Sequence, residues 1–281
     1  MTSGSRREFL KAAGMAAAAG ALPLGIAGAQ ERTPASPGAV PLALGLASIT
    51  FKDFTLDQAI AMTQRVGISR LALKDVHLPL TSTPEEIAAA RKKITDAGLT
   101  FSSCGVVYMA NEAEVHRAFE YAKAAHLGIM VGCPDHGMLG SVEEAVRSYD
   151  IRLAIHNHGP GDERYPSPGS AYRLVEHLDR RIGLCIDLGH ARRLGLDPAA
   201  EVERWFDRVY DLHIKDVTAA EAAGGPVEIG RGVIDIPRVL RTLIRLRYAG
   251  TVHIEYEKDE HDPLPGVAES AGYLKGVLAA L

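Results

Sequence analysis

The sequence has no charge excess: 31 Lys and Arg stand against 35 Asp and Glu, a formal net charge of −4 over 281 residues. Neutralising phosphates takes a basic face, so nucleic acid and anionic membrane surfaces find no support as partners. Cysteine is scarce. The three present, Cys104, Cys133 and Cys185, each lie inside an apolar run. An odd count without framework spacing argues against a disulfide scaffold and for small buried apolar side chains. No glycine-rich phosphate fingerprint follows the first strand-like run, which counts against a dinucleotide-binding sheet. A clean hydrophobic span is missing too. The weakly apolar run from Ala12 to Ala29 is interrupted by Gly and by Pro23, a poor helix for crossing a bilayer.

That run does have the flanks of an address. Ser5-Arg6-Arg7-Glu8-Phe9-Leu10-Lys11 precedes it and Ala27-Gly28-Ala29 closes it, the pattern of a twin-arginine export signal with a small-residue cleavage site. Residues 1–29 are therefore expected to be a signal peptide, with no stable membrane insertion once it is removed. The expected location is the periplasm or another exported compartment. Residues 30–40 are rich in Pro, Ser and Gly, without periodicity, and read as a linker. Residues 41–281 remain, close to the ~250 residues of one (β/α)₈ barrel and long enough to bury a single core.

Over that stretch apolar strand-like runs alternate with amphipathic helical ones, the pattern of an α/β fold with parallel strands. Strands are expected at 42–51, 70–78, 100–109, 128–132, 151–157, 182–187, 209–215 and 250–256. Helices are expected between them, as at 56–66 and 112–125. Thr83-Pro84-Glu85-Glu86 is a helix start with Pro at the first position and acids in the first turn. Eight such cycles predict a single-domain (β/α)₈ TIM barrel; a doubly wound open sheet is the alternative.

The last four strand-like runs end in the same chemistry. They carry His156-Asn157-His158, Asp187-Leu188-Gly189-His190, His213-Ile214-Lys215-Asp216 and Glu255-Tyr256-Glu257. A barrel gathers its strand C-termini around one mouth, so His156, Asp187, His213 and Glu255 are expected to face one another. Two carboxylates neutralise a divalent ion and two neutral imidazoles complete four ligands, leaving positions open for substrate oxygens. Taken singly, each residue has a duller explanation: a strand-end His is usually a hydrogen-bonded structural residue, and an Asp a helix cap. The set carries the inference.

The chain resembles the xylose isomerase-like barrels, the sugar phosphate isomerase/epimerase superfamily. The resemblance lies in Ile182-Gly183-Leu184-Cys185-Ile186-Asp187-Leu188-Gly189-His190, Asp211-Leu212-His213-Ile214-Lys215-Asp216, Gly230-Arg231-Gly232-Val233-Ile234-Asp235 and His253-Ile254-Glu255. It implies a divalent-metal-dependent isomerase or epimerase acting on a keto-sugar through a metal-stabilised ene-diolate. The metal is Mn²⁺ first, with Co²⁺, Fe²⁺, Zn²⁺ or Mg²⁺ as alternatives. It also implies Asp187, His213 and Glu255 as ligands, with His190 and Arg231 touching substrate. One position departs from the pattern. Where the ketose 3-epimerases carry a metal-binding Glu on strand five, this chain has His156, with His158 on the same face. Imidazole still binds metal, so His156 is the expected fourth ligand. A two-carboxylate proton shuttle loses one member, and Glu255, His156 and His158 are the candidate proton-transfer groups. An exported 3-keto-glycoside lyase or hydrolase, or a non-catalytic sugar-binding barrel, remains open.

Lys74, His77 and Lys215 are further candidates for substrate binding. Tyr108 and the loop 158–165 are expected to shape the pocket. An exported enzyme meets few phosphorylated sugars, so an unphosphorylated sugar is expected.

Overall fold

The computed structural model describes residues 42–281. The expected signal peptide (1–29) and linker (30–40) lie outside the described residues.

Eight strand positions alternate with helices, and every pairing between neighbouring barrel strands is parallel. The strands are β1 (Ala43–Ala47), β2 (Arg70–Leu73), β3 (in two pieces, Thr100–Cys104 and Val107–Met109), β4 (Ile129–Pro134), β5 (Arg152–His156), β6 (Ile182–Asp187), β7 (Val209–Ile214) and β8 (Thr251–Ile254). Around the barrel β1 lies between β2 and β8, and the order then runs through β7, β6, β5 and β4. The two pieces of β3 sit at opposite ends of this hydrogen-bonded run: the first pairs with β2 and the second with β4. The barrel closes through the covalent continuity of one strand. Gly105, at the break, has φ of 130°, and a Cβ there would lie 2.1 Å from the Val131 carbonyl oxygen. Only glycine lets the two backbones pass this closely. The structure is thus a single TIM barrel, and the open-sheet alternative falls away.

Helices start where the sequence supplies caps. Thr55 and Thr83 form capping boxes with Gln58 and Glu86 ahead of α1 (Leu56–Arg65) and α2 (Pro84–Asp96), each satisfying backbone N–H groups that have no partner inside the helix. α3 (Glu112–Ala124), α4 (Leu139–Tyr149), α5 (Pro168–Val175), α6 (Leu188–Arg193), α7 (Pro198–Arg204), α8 (Ile236–Arg245) and α9 (Leu264–Ala280) follow. Their apolar faces pack on the outward residues of the strands, among them Leu46, Leu71, Leu153, Ile186, Leu212 and Ile254, in one continuous core. The three cysteines are free and buried, as expected.

The last expected strand, 250–256, is Thr251–Ile254, and two others are shortened more. The first ends at Ala47 and turns into a 3₁₀ segment, Ser48–Phe51, because two buried hydroxyls there serve neighbouring backbones. Ser48 Oγ accepts from the Lys74 N–H at 2.8 Å and Thr50 Oγ1 from the Tyr256 N–H at 2.9 Å. The second ends at Leu73, and the chain turns with hydrogen bonds from the His77 and Leu78 N–H groups to the Lys74 carbonyl.

Candidate metal centre

β5 to β8 are consecutive neighbours in the sheet, and their C-terminal ends bring His156, Asp187, His213 and Glu255 together. Each offers one ligand atom, all within 4.8 Å of one another, and all four residues are buried. Strand alternation sets this face: Asp187 shares it with Cys185, and His213 with Asp211 and Lys215. Cross-strand register sets the height. His156 pairs with Cys185 and Asp187 with His213, while His213 pairs with His253, two residues before Glu255. The ligand positions climb the rim as tilted barrel strands require.

His156 Nε2 lies 3.1 Å from His213 Nδ1 and 3.5 Å from Asp187 Oδ2, and His213 Nδ1 contacts Glu255 Oε2. Buried polar atoms in folded proteins nearly all have aligned partners. Asp187 Oδ2 and Glu255 Oε2 make no aligned hydrogen bond although both are enclosed; their close neighbours are the cationic Lys215 Nζ and the His213 ring. Two such carboxylate oxygens converging with two imidazoles are a donor set that fits a divalent cation of the Mn²⁺-to-Zn²⁺ series. Cys185 Sγ makes a second grouping with His156 and His213. Burial pushes that thiol well above its ordinary range.

Charge in the cluster is balanced by Lys215. Its Nζ is 3.0 Å from Asp187 Oδ2, 3.4 Å from Glu255 Oε1 and 2.6 Å from Glu257 Oε2. Burial would weaken this ammonium, but the three carboxylates outweigh it and raise it well above its ordinary range. Burial also opposes ionisation of Asp187 and Glu255. The neighbouring His190 and Lys215 overcome it at Asp187, and Lys215 and His213 at Glu255, so both carboxyls are shifted well below their ordinary range. The two imidazoles separate. Burial lowers His156 to about 3 despite the Asp187 contact, which leaves it neutral. At His213 burial pulls down too, but Glu255 more than compensates and the net shift is upward.

Two layers fix these side chains. Asn157, adjacent to the candidate ligand His156, accepts from the Asp187 N–H at 2.9 Å and donates to the Asp187 carbonyl at 3.2 Å. Asp187 Oδ1 in turn caps α6 by accepting from the His190 N–H at 2.8 Å, so this residue is both helix cap and candidate ligand. Beneath the ligands, His253 Nδ1 is 2.7 Å from Asp211 Oδ1 and its Nε2 is 2.8 Å from Ser102 Oγ. Gly45 makes room, since a Cβ there would lie 2.4 Å from the His253 ring. The sequence reading missed this lower layer, although the spacing from His253 to Glu255 and from Asp211 to His213 places each pair on one strand face.

The other candidates divide. His190 and His158 line the site, their rings 5.9 and 4.7 Å from that of His156, and burial lowers both. His158 Nε2 meets the Tyr108 hydroxyl at 3.1 Å. Lys74 stands beside Tyr108, 5.8 Å from its ring centroid. His77 is engaged elsewhere: its Nδ1 is 2.9 Å from Ser48 Oγ and its Nε2 3.1 Å from the Phe54 carbonyl oxygen. Arg231 is exposed, with its guanidinium on both oxygens of Glu269. Its loop is organised by Asp216, a fully buried carboxylate that accepts from the backbone N–H groups of Val217, Gly230, Gly232 and Ile234.

Fold and donor set together define a barrel with a candidate metal site at its rim, and comparison with known proteins gives the family. The profile of the xylose isomerase-like TIM barrel family matches residues 73–277, and the chain belongs to that family. A twin-arginine translocation signal profile matches residues 5–23, which indicates export by that route. Among the described residues no helix is long and apolar enough to cross a membrane. A rhizopine catabolism protein of Rhizobium meliloti is 27% identical over 149 residues, 45% of this chain and 43% of its own length. The inosose dehydratase of Salmonella typhimurium is 28% identical over 151 residues, 47% of this chain and 48% of its own. The chain thus spans less than half the length of these curated relatives. A solved xylose isomerase domain protein from Alicyclobacillus acidocaldarius is 18% identical, with a TM-score of 0.69, over 85% of this chain and all of that one (100%). At that identity the likeness is one of fold.

Proposed function

We propose that the mature protein is an exported, periplasmic metal enzyme that removes the proton next to the carbonyl of a keto-sugar and completes an isomerisation or epimerisation. The observation that carries this reading is the convergence of His156, Asp187, His213 and Glu255 within 4.8 Å at the barrel rim. His156, Asp187, His213 and Glu255 would hold a divalent ion, Mn²⁺ first, and that ion would supply Lewis-acid stabilisation of the negative charge developing on the substrate oxygens. Glu255, ionised and held by Lys215 and His213, is the base closest to that centre. His158, whose Nε2 meets the Tyr108 hydroxyl, is placed to exchange a proton with the mouth, and His190 and Lys215 orient substrate hydroxyls.

A second reading has its own support. His156 replaces one carboxylate of a two-sided proton shuttle, and burial keeps it neutral. With one strong base instead of two, loss of a group from the β-position, as in a dehydratase or 3-keto-glycoside lyase, follows the same first step. The match to an inosose dehydratase points the same way.

Exchange of substrate C–H with deuterated water, followed by NMR over a panel of ketoses, inososes and 3-keto-glycosides, tests both. Mn²⁺-dependent exchange with epimer formation supports the first; water or aglycone release supports the second. Neither exchange nor turnover on any member leaves a sugar-binding barrel and ends the enzyme reading.

A further inference from the structure

Opposite the ligands, the ends of β1 to β4 carry three charged side chains: Lys74 and Asp75 after β2, and Asp135 after β4; Asp75 Oδ1 accepts from the Val76 N–H. Lys74 follows β2 on the face of Ala72, which points to the barrel axis. Its Nζ donates to the Val106 carbonyl oxygen at 3.1 Å, which leaves two N–H bonds. It forms no ion pair among the described residues, whereas the neighbouring cations do. Lys215 meets three carboxylates, and Arg164 meets Asp135 at 2.7 Å. The nearby acid Asp162 is committed as well: one oxygen accepts from the Arg164 and Tyr165 N–H groups and the other lies 3.6 Å from His158 Nδ1.

Beside Lys74 lies the ring of Tyr108, 49% exposed where most large apolar side chains are covered. Lys74 Nζ and the Arg164 guanidinium each sit 5.8 Å from its centroid. The same ring stacks on His158 at 5.9 Å and 19°, and His158 is 4.7 Å from the ligand His156. An unpaired ammonium, an open aromatic face and the metal ligands therefore succeed one another across the mouth. Aromatic faces carry the apolar face of a sugar, and ammonium groups with spare donors hold carboxylate or phosphate oxygens.

We infer that the substrate is anionic: a keto-sugar whose end remote from the metal bears a carboxylate or a phosphate, held by Lys74, with its carbon skeleton over Tyr108. This rests on the keto-sugar reading above.

Isothermal titration of the Mn²⁺-loaded protein with D-fructose, D-fructuronate and D-fructose 6-phosphate tests it, because the three share the ketose end and differ at C6. The expected result is that one of the two anions binds at least about tenfold more tightly than fructose. That preference disappears in Lys74→Met, whose metal content and melting temperature stay those of the wild type, and it returns in Lys74→Arg. Whichever anion gains identifies the source as carboxylate or phosphate. Equal affinity for all three, or a preference that survives Lys74→Met, overturns the inference. Proton exchange is scored separately. A Lys74-dependent preference without exchange removes the enzyme reading and keeps the anion subsite; exchange on fructose without a preference does the reverse.

Discussion

The two halves of the barrel rim repeat one strand–helix unit and carry opposite chemistry. β5 to β8 end in His156, Asp187, His213 and Glu255, buried and converging. Around β1 to β4 stand Ser48, Lys74, Asp75, Tyr108, Cys133 and Asp135, which do not converge, with one cation outside any ion pair and one exposed ring. The backbones differ to match. β5 to β8 pair in unbroken succession, whereas β3 is cut in two at Gly105. Four ionisable groups within a few ångströms need strands that cannot slide. A pocket that accepts the remainder of a ligand needs space, and the interrupted side provides it.

Removing one ligand should break this contrast most. Asp187→Asn keeps an oxygen to cap α6 but loses the charge. Metal affinity should fall at least about a hundredfold, measured by elemental analysis of dialysed protein and by metal titration, with an unchanged circular dichroism spectrum. Wild-type metal content in this variant would remove the centre from β5–β8.

Lys215→Met comes next. In chelator it leaves Asp187 and Glu255 ionised, buried and without their ammonium. Urea unfolding should show a loss of about 3 kcal/mol, and saturating Mn²⁺ should recover much of it by taking over the neutralisation. An identical loss with and without metal would mean that the two cations do not answer the same carboxylates.

Gly105→Ala strikes the other half. A Cβ 2.1 Å from the Val131 carbonyl oxygen, at φ of 130°, should cost about 2–3 kcal/mol. Here the loss should be equal in chelator and in Mn²⁺, because the strand break lies outside the charged cluster.

The smallest effect belongs to His77. Burial lowers its pKa, against hydrogen bonds to the Phe54 and Phe51 carbonyls that raise it. Below the ordinary value of about 6.5 the unfolded chain takes up a proton that the folded one resists, so stability falls as pH falls. His77→Gln should flatten that slope in urea midpoints taken between about pH 7.5 and about pH 5.5. An unchanged slope would assign the acid sensitivity to the imidazoles of the other half.

Much of this was legible in the chain itself. The run 182–187 is a strand with those bounds, because a continuous apolar stretch ending in Asp187-Leu188-Gly189 has one way to leave a sheet. The boxes at Thr55 and Thr83 mark their helices by local chemistry alone. The runs 42–51 and 70–78 were read too long. Whether Ser48 and Thr50 continue a strand or turn to serve Lys74 and Tyr256 depends on partners far away in sequence. Likewise, nothing local to Arg231 or His77 shows that Glu269, or Ser48 and the Phe54 carbonyl, will claim their nitrogens.

The sequence alone determined the barrel and that His156, Asp187, His213 and Glu255, the candidate ligands, stand at the strand ends of one half of it. Alternation along a strand and the C-terminal position of polar residues are properties of short segments. Only the tertiary structure decided how high each ligand stands, that Lys215 lies among three carboxylates while Lys74 has none, and that β3 parts at Gly105 to complete the barrel. Those features arise from register between strands and from the tilt that closes a sheet, relations between segments that no single segment contains.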